Sequence, residues 1–434
     1  MRLAWAVLLA ACASTQDAPG AADAPASDAD APSAGDAGAA DAPAPGPGAP
    51  PLYPSDRTQS PITRPVAFRL AAIAGSAIQD ERVFAKVGDS ITVEPVFMGC
   101  FAGGAVDLDG RTELAPTIDW FLAGDAAGTT PYQRVSLAAK IGVSAPWVLA
   151  GDPSPLDEET AAIHPRFALV MYGTNDAAGG AIFTYAATML DIVDRLIGQG
   201  IIPILSSVPP NDQDASVDAR VPRYNLVARG IAQGRMLPFV DFWRELEPLP
   251  NHGLAGDGLH PQSFGGGCKF TATGLDYGYN VRNLISITAL ARARAAIAGT
   301  PPDADADAPA LAGAGSKASP FEVPFVPFAD LRDTQASPNH DFDVYGCAPQ
   351  DESGPEYVYR VTLAASATIR ATVFVRGTVD VDVHLLRGDA CLARDDRQIV
   401  YAADAGTYTL VADTFVPADG VPRAGEYLLT VDVE

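Results

Sequence analysis

The chain has few basic residues, and this shortage excludes one class of function. Its 434 residues include 29 lysines and arginines against 53 aspartates and glutamates, which gives a net charge of −24 at pH 7. A protein that grips phosphate backbones needs clustered lysine and arginine, so nucleic-acid binding is not expected. The sequence also lacks any apolar run of the roughly 18 residues that a membrane-spanning helix requires. We therefore expect neither a nucleic-acid binder nor a multi-pass membrane protein.

Cysteine is scarce, and its spacing argues against a structural metal site. The five cysteines include no Cys-x-x-Cys pair and no His/Cys cluster with zinc spacing, so no metal and no other cofactor is expected. Cys100 and Cys268 lie in one segment, and Cys347 and Cys391 lie in another. Four cysteines permit three pairings, and the domain boundaries favour Cys100–Cys268 and Cys347–Cys391. Such bonds persist in an oxidising compartment.

Residues 1–12 have the features of an export signal. One arginine precedes a short apolar stretch and small residues, and the stretch is too short to span a bilayer. The sequence LAAC at 9–12 also resembles the bacterial lipobox, in which the cysteine, here Cys12, is lipidated and becomes the mature N-terminus. The other interpretation is an ordinary cleaved signal peptide. In both cases we expect the protein to leave the cytoplasm, and a lipid on Cys12 would be its only membrane contact.

Composition divides the rest of the chain into four segments. Residues 13–60 are almost entirely Ala, Asp, Pro, Gly and Ser, and residues 300–324 have a similar character. Without large apolar side chains, such segments cannot offset the entropy lost on ordering, so both are predicted to be disordered linkers. They separate a domain at 61–299 from a smaller domain at 325–434.

The 61–299 domain alternates short apolar runs with amphipathic ones. The apolar runs have the length of buried parallel strands, and they lie at 83–87, 167–172, 201–205 and 237–242. Helical spacing of apolar residues predicts helices at 184–196, 218–232 and 281–298. The alternation predicts an α/β fold, a parallel sheet with helices on both faces, whose ligand site lies beyond the carboxyl ends of the strands.

The 325–434 domain has a different pattern, in which apolar and polar residues alternate. Short alternating runs separated by turn residues predict strands at 357–363, 368–375, 379–386, 406–412 and 425–431. This pattern predicts an all-β domain built as an antiparallel sandwich.

Three short motifs of the α/β domain contain residues that could take part in catalysis. Ser90, in a Gly-Asp-Ser-Ile sequence, follows a predicted strand on a tight turn that exposes its hydroxyl near the N–H groups of a helix start. Asp257 and His260 share one late loop, where the carboxylate can accept from one ring nitrogen while the other takes the serine proton. Asn175 ends another strand and offers an amide donor for a developing oxyanion.

In these motifs the segment from about 80 to 298 resembles the SGNH, or GDSL, hydrolase family. GDSI at 88–91 matches the nucleophile block, GTND at 173–176 the asparagine block, and DGLHP at 257–261 the terminal block. The resemblance implies a flavodoxin-like fold. It also implies that Ser90 is the nucleophile, that His260 is the general base and then the acid, and that Asp257 orients His260.

The resemblance also implies an oxyanion hole formed by Asn175, the N–H of Ser90 and a backbone N–H from the family's glycine block. KIGVSA at 140–145 lies in the expected interval for that block. Spacing to Asn175 favours Ala145 as the donor, whereas residue type favours Gly142. Both stay open, and Gly142 is the residue we select.

Other serine, aspartate and histidine residues are alternative candidates for the same chemistry. GVSA at 142–145 nearly matches the Gly-x-Ser-x-Gly elbow of α/β-hydrolases, which would make Ser144 the nucleophile, but residues 136–140 before it are not strand-like. Asp89 and Asp176 are expected to accept local hydrogen bonds. Surface or loop roles are expected for the histidines without an aspartate three positions earlier: His164, His252, His340 and His384.

The second domain resembles the bacterial pre-peptidase C-terminal domain, a β-sandwich appended to secreted enzymes. The resemblance rests on DVDVHL at 380–385, AGTYTL at 405–410 and GEYLLTV at 425–431, and it implies a role in secretion, substrate binding or packing. Asp380 and Asp382 could reach a cation such as calcium. Alternate positions on one strand more often hold solvated polar groups, which is the interpretation we prefer.

These expectations together describe an exported serine esterase that acts through an acyl-enzyme. Acetylated polysaccharide, lipid esters and simple acyl esters all fit as substrates, and we expect the protein to act as a monomer. The alternative is a cell-surface binding protein whose hydrolase-like domain is inactive and whose sandwich binds the ligand. The complete set of Ser90, Asn175, Asp257 and His260 favours the enzyme.

Overall fold

A computed structural model describes residues 49–103, 105–299 and 308–434. The predicted export signal with Cys12 and most of the first predicted linker lie outside the described residues, so these expectations stay predictions. Within the described ranges, no helix is both long and apolar enough to cross a membrane.

The α-helices and the first four strands belong to the α/β domain. The α-helices of the described residues are α1 (Arg64–Ser76), α2 (Ser90–Val93), α3 (Val96–Gly99), α4 (Ala115–Leu122), α5 (Pro155–Ile163), α6 (Thr174–Gly179), α7 (Ile182–Gly198), α8 (Ala215–Asp218), α9 (Val221–Arg235), α10 (Phe242–Leu246) and α11 (Gly278–Ile297). The strands are β1 (Asp80–Gly88), β2 (Pro165–Met171), β3 (Ile202–Ser206) and β4 (Phe239–Val240). Short 3-10 helices occupy Cys100–Ala102, Thr112–Leu114, Ala145–Leu149, Pro250–Gly253, Gly274–Asp276 and Thr334–Ala336.

The first four strands form a parallel sheet in the order β1-β2-β3-β4. Residues 138–140 extend it at the β1 edge, because Gly88 N donates to Ala138 O at 3.2 Å and Lys140 N donates to Gly88 O at 3.1 Å. The segment expected not to be strand-like therefore completes the flavodoxin-like strand order, in which the second strand lies outside the first. The predicted α/β fold class is confirmed.

Burial explains why the apolar runs formed the interior of this sheet. All seven residues of β2 are buried, as expected for a central parallel strand with helices on both faces. Helix α7 packs on α9, and α1 packs on α11. The Cys100–Cys268 disulfide favoured by the sequence is present, and Cys268 is buried.

The second domain is a β-sandwich, as the alternating pattern predicts. Its strands are β5 (Phe321–Glu322), β6 (Phe328–Asp333), β7 (Tyr357–Leu363), β8 (Ala367–Val375), β9 (Val381–Arg387), β10 (Ala390–Asp395), β11 (Gln398–Ala403), β12 (Gly406–Thr414) and β13 (Glu426–Val433). One sheet has the order β10-β9-β12-β7-β5 and the other β11-β8-β13-β6. Strand pairing is antiparallel except between β5 and β7. The second favoured disulfide, Cys347–Cys391, is present.

The expected exposure of Asp382 and of His384 is wrong. Asp382 and His384 on β9 are 1% and 0% exposed, so they are neither solvated nor on the surface. They are buried because the chain between β6 and β7 covers this part of the strand, where Tyr345 stacks on the His384 ring with centroids 3.6 Å apart.

Both segments assigned to linkers also contain packed residues. Tyr53 is 2% exposed and its hydroxyl donates to Leu237 O at 2.8 Å, while Ser60 N donates to Phe239 O at 2.9 Å. Phe321 is 5% exposed in the core of the sandwich. Composition averaged over a long segment hides these few large side chains, so residues 49–60 and 308–324 belong to the folded body.

The two domains share a core through one face of α9. This helix packs on β6 and β13, and the side chains of Leu331 and Leu428 join the core of the α/β domain. Gly230 permits the close approach, because a Cβ atom there would lie 2.7 Å from Ala329 Cβ and 2.8 Å from Leu428 Cδ1. Gln233 Nε2 donates to Ala329 O at 2.8 Å on the same face.

We predict that Gly230→Ala lowers the thermal stability of the protein. The added methyl overpacks the interface, which costs about 1–3 kcal/mol and outweighs the gain in helix propensity of up to about 1 kcal/mol. The matched control is Gly75→Ala in α1, where a Cβ atom meets nothing within 4 Å. Thermal unfolding should give a lower Tm for Gly230→Ala and an unchanged or higher Tm for Gly75→Ala. Equal Tm values for the two variants would contradict the packing described.

Candidate active site

The predicted nucleophile turn, which holds Ser90, lies at the carboxyl end of β1. Asp89 is the N-cap of α2, and its side chain accepts from Ile91 N at 3.1 Å. Gly88 is required by packing, because a Cβ atom there would lie 2.5 Å from Met171 O on the neighbouring strand. Ser90, the first residue of α2, is therefore held half-buried at the edge of the sheet.

The three residues of the predicted triad are in hydrogen-bond contact. Nε2 of His260 lies 3.0 Å from Ser90 Oγ, and Nδ1 of His260 lies 2.7 Å from Asp257 Oδ2. These two hydrogen bonds join a loop near the end of the α/β domain to a turn 170 residues earlier. The serine and the carboxylate contact opposite nitrogens of one ring, which is the arrangement that a serine–histidine–aspartate triad requires.

The loop that holds Asp257 also keeps its carboxylate ionised. Burial raises the pKa of Asp257. Hydrogen bonds from the N–H groups of Leu259 and His260 and from the His260 ring lower it by more, so the net pKa lies below the usual range. Both N–H groups lie 3.0 Å from Oδ1. A residue from another loop also restrains this one, since Asp212 N donates to Gly258 O at 2.8 Å.

Asn175 lies at the same edge of the sheet, in α6, which begins shortly after the end of β2. Gly88 and Met171 are opposite each other in the β1–β2 register, so the segments that leave these strands are neighbours. The Asn175 side chain is half-buried, and its Nδ2 donates to Val143 O at 2.9 Å. An amide nitrogen has two hydrogens, so this bond leaves one donor for another acceptor.

The two candidates for the second backbone donor differ in the structure. Ala145 N donates to the Asp176 carboxylate, at 3.1 Å and 3.2 Å from its two oxygens, so this N–H is already used. Gly142 is exposed with φ of 72°, and no hydrogen bond links it to Ser90 or Asn175 among the described residues. Spacing favoured Ala145, and the structure assigns its N–H to another partner. A role for Gly142 stays a prediction.

The sequence of this domain matches a known protein family. Residues 87–265 match the GDSL-like Lipase/Acylhydrolase family. The segment is a GDSL-like domain. A GDSL-like lipase from Bacteroides thetaiotaomicron is 16% identical over 52% of this chain and 96% of its own, with a TM-score of 0.33. An acetylxylan esterase from Geobacillus stearothermophilus is 17% identical over 49% of this chain and 94% of its own, also with a TM-score of 0.33. No curated protein matches the chain.

The GDSL-like domain contains a buried support for the nucleophile turn that the motifs did not indicate. Nη1 of Arg282 on α11 donates to Ile91 O at 2.6 Å, and Nη2 donates to Thr92 Oγ1 at 3.0 Å. The guanidinium lies 3.7 Å from the centre of the Phe97 ring, and burial lowers its pKa to about 10. The nearby Asp89 carboxylate is fully buried, which raises its pKa against the opposing effect of Arg282. Helical spacing located α11, but nothing in the sequence indicated which of its residues faces the turn.

The rival residues do not form an alternative site. Ser144 is the N-cap of a 3-10 helix, and no histidine is hydrogen-bonded to it within the described ranges. His252 does have an acidic partner, since its Nδ1 lies 2.8 Å from Asp212 Oδ1. No motif indicates this pair, because the two residues are 40 positions apart. No serine is hydrogen-bonded to the pair among the described residues.

Two other features lie near the site. A cavity of about 300 Å³ is lined in part by Lys86, Thr92 and Tyr132, and no triad residue lines it. Burial lowers the pKa of Lys86 to about 8, and its Nζ donates to Tyr132 O at 3.1 Å. The glycine-rich segment at 264–270 is tied down by the Cys100–Cys268 disulfide, and Phe264 stacks on Tyr277.

We predict a pH-dependent effect of Asp176→Asn on stability. Burial raises the pKa of Asp176 to about 6 although the Ala145 N–H opposes the rise, and the unfolded value is about 3.9. A folded pKa above the unfolded one means that this carboxyl stabilises the fold most below about pH 4 and that the contribution is lost as the pH rises through about 6. Asparagine does not titrate. The Tm of the variant minus that of the native protein should therefore become more positive from pH 4 to pH 7.

The change corresponds to at most about 3 kcal/mol, because each pKa unit is worth about 1.4 kcal/mol. A Tm difference that stays constant across this pH range would show that Asp176 has the same pKa in the folded and unfolded chain.

Proposed function

We propose that this protein is an exported serine esterase that hydrolyses carboxylic esters through an acyl-enzyme. The observation that supports it is the continuous hydrogen-bond chain from Asp257 through His260 to Ser90, with distances of 2.7 Å and 3.0 Å. Membership of this domain in a family of lipases and acylhydrolases supports the same reaction class.

In the first half of the reaction, Ser90 Oγ attacks the ester carbonyl carbon. Nε2 of His260 accepts the hydroxyl proton, and the Nδ1–H group donates to Asp257, which stabilises the imidazolium that forms. His260 then returns the proton to the leaving alcohol oxygen as the C–O bond breaks. The products of this half are the free alcohol and an acyl group bound to Ser90.

In the second half, water takes the place of the alcohol. His260 removes a proton from the water, the hydroxide attacks the acyl carbon, and the proton goes to Ser90 Oγ as the acid leaves. Each tetrahedral intermediate carries a negative oxygen. The free N–H of the Asn175 amide and the backbone N–H of Ser90 are the donors that we assign to this oxygen, with Gly142 as the further expected donor.

The openness of the site allows a large alcohol portion in the substrate. The side chains of Asp257 and His260 are 44% and 38% exposed, so the triad lies at the surface rather than in a closed tunnel. An open triad allows a bulky alcohol portion to extend into solvent. O-acetyl groups on polysaccharide fit this geometry, and lipid or short-acyl esters are the other substrates to be tested. The net charge of −24 disfavours anionic substrates through long-range repulsion.

Export is supported by two disulfides in different domains. Disulfides of this kind are typical of extracellular and periplasmic proteins. Lipid attachment at Cys12 would keep the enzyme at a cell surface after export. We propose this attachment from the lipobox-like sequence alone.

We predict that Ser90→Ala abolishes esterase activity while the fold is retained. Loss of the nucleophile should lower kcat by about 10⁴-fold or more, as in other serine triads. Ser144→Ala is the matched control, because it removes the hydroxyl of the rival serine, and its activity should equal that of the native enzyme. Hydrolysis of 4-nitrophenyl acetate by the purified variants measures both. Undiminished hydrolysis by Ser90→Ala would reject the assignment.

We predict a different kinetic effect for Asn175→Ala. Because the amide donor acts on the oxyanion and not on the bound ester, kcat should fall by about 10²–10³-fold with little change in KM. Steady-state kinetics with the same ester separate the two parameters. A rise in KM at constant kcat would mean that Asn175 binds the substrate instead.

A further inference from the structure

Three side chains of the types that bind metals meet on the outer face of the sheet that contains β9, where the segment between β6 and β7 covers it; Val381, Val383 and Leu385 of the same strand face the sandwich core. Asp382 and His384 are two positions apart on β9, and Glu352 comes from the segment between β6 and β7. One carboxylate oxygen or ring nitrogen from each lies within 4.8 Å of the others. The side chains of the three residues are 0–1% exposed.

Five of the six polar side-chain atoms of this cluster lack a hydrogen-bond partner, and the sixth, Asp382 Oδ2, accepts from Arg394. Both oxygens of Glu352, Oδ1 of Asp382 and both ring nitrogens of His384 have no partner in the structure. Leaving a buried polar group without a partner costs about 1–3 kcal/mol, and more for charged groups. Three such residues that face one another therefore indicate a bound group that satisfies them together.

One separation in the cluster is close to that of two ligands of one small cation. Nε2 of His384 lies 3.8 Å from Glu352 Oε1, which is too far for a hydrogen bond. Two ligand atoms at about 2.1 Å from a tetrahedral zinc ion are about 3.4 Å apart. A shift of a few tenths of an ångström would bring the two atoms to this separation.

We propose that Glu352, Asp382 and His384 bind a divalent transition-metal ion of the zinc class. The imidazole decides the class, because calcium and magnesium take oxygen ligands whereas zinc accepts both imidazole nitrogen and carboxylate oxygen. Three protein ligands leave a fourth position, which a water molecule can fill. This site is independent of the proposed esterase chemistry.

Neighbouring residues orient the ligands. The Arg394 Nη2 group pairs with Asp382 Oδ2, which leaves Oδ1 without a hydrogen-bond partner, and Nη2 lies 3.7 Å from Glu352 Oε1. Tyr345 stacks on the His384 ring at an interplanar angle of 15° and donates its hydroxyl to Asp413. Such outer contacts, which fix the orientation of ligands, are a regular part of metal sites.

The charges of the cluster also favour a cation. Glu352 and Asp382 bring two negative charges in the ionised state, Arg394 brings one positive charge, and His384 is neutral when it binds a metal. The buried carboxyl groups of Asp413 and Glu356 lie nearby. A divalent ion offsets this excess of acidic groups, which is otherwise expensive to bury.

A proton is the competing occupant. Burial, together with the adjacent Asp382 carboxylate, raises the pKa of Glu352, and a proton held between the two carboxyl groups would also relieve their repulsion. The test must therefore distinguish a metal from a proton. The expected role of the metal is structural, because it would tie the segment at 337–356 to β9.

The experiment titrates Zn²⁺ into the full chain after removal of metals with a chelator. Calorimetry should show one tight site per chain, and saturating Zn²⁺ should raise the Tm by about 3 °C or more. The variants His384→Gln and Glu352→Gln should each lower the affinity by about 100-fold or more. His340→Gln is the matched control, because it removes an exposed histidine of the same domain, and it should bind Zn²⁺ like the native chain.

The other outcomes overturn the proposal. Absence of a tight Zn²⁺ site in the native chain, or equal binding by His384→Gln, would show that no metal is held here. If Glu352→Gln folds with a higher Tm than the metal-free native chain and Zn²⁺ shifts neither, a shared proton occupies the cluster. A Tm increase with Ca²⁺ but not with Zn²⁺ would reject the proposed class of ion.

Discussion

The close contact between the ends of β1 and β2 is the constraint on which the site depends. Gly88 lies opposite Met171, with no room for a side chain between Met171 O and Thr92. Because parallel strands share one carboxyl edge, this contact brings the turn that holds Ser90 next to the segment that holds Asn175. The Asp257–His260 loop then has only to reach the same edge, where His260 meets Ser90.

The support of this edge extends well beyond the motifs. Arg282 on α11 donates to the backbone of the nucleophile turn at Ile91 O. The Asp176 carboxylate accepts from Ala145 N and so restrains the loop at 143–145. Asp212 holds the Asp257–His260 loop at Gly258. Each of these contacts restrains backbone rather than a reacting group, so the triad geometry is distributed over several elements of the α/β domain.

Much of this architecture could be predicted from the sequence because its signals are local. Buried strands such as β2 are continuous apolar runs, and the blocks around Ser90, Asn175 and His260 are short and follow strands. Contacts between distant residues gave no such signal. The link from Arg282 to the nucleophile turn, the His252–Asp212 pair and the meeting of Glu352 with β9 depend on tertiary packing, which periodicity does not encode.

Boundaries and burial were predicted less well, for a related reason. The low content of large apolar residues in 49–60 concealed Tyr53, whose ring packs in the core, and alternation on β9 suggested a solvated face. Alternation reports that successive side chains point to opposite sides of a sheet, but it does not report what covers each side. Here the segment between β6 and β7 covers Asp382 and His384.

If His260 activates the Ser90 hydroxyl, a fluorophosphonate should react with the folded protein at that residue, and peptide mass spectrometry locates the adduct. We expect one adduct per chain, on the peptide that contains Ser90, and labelling at least about 100-fold slower in His260→Ala. An adduct on Ser144, or a folded native protein that does not react, would contradict this expectation.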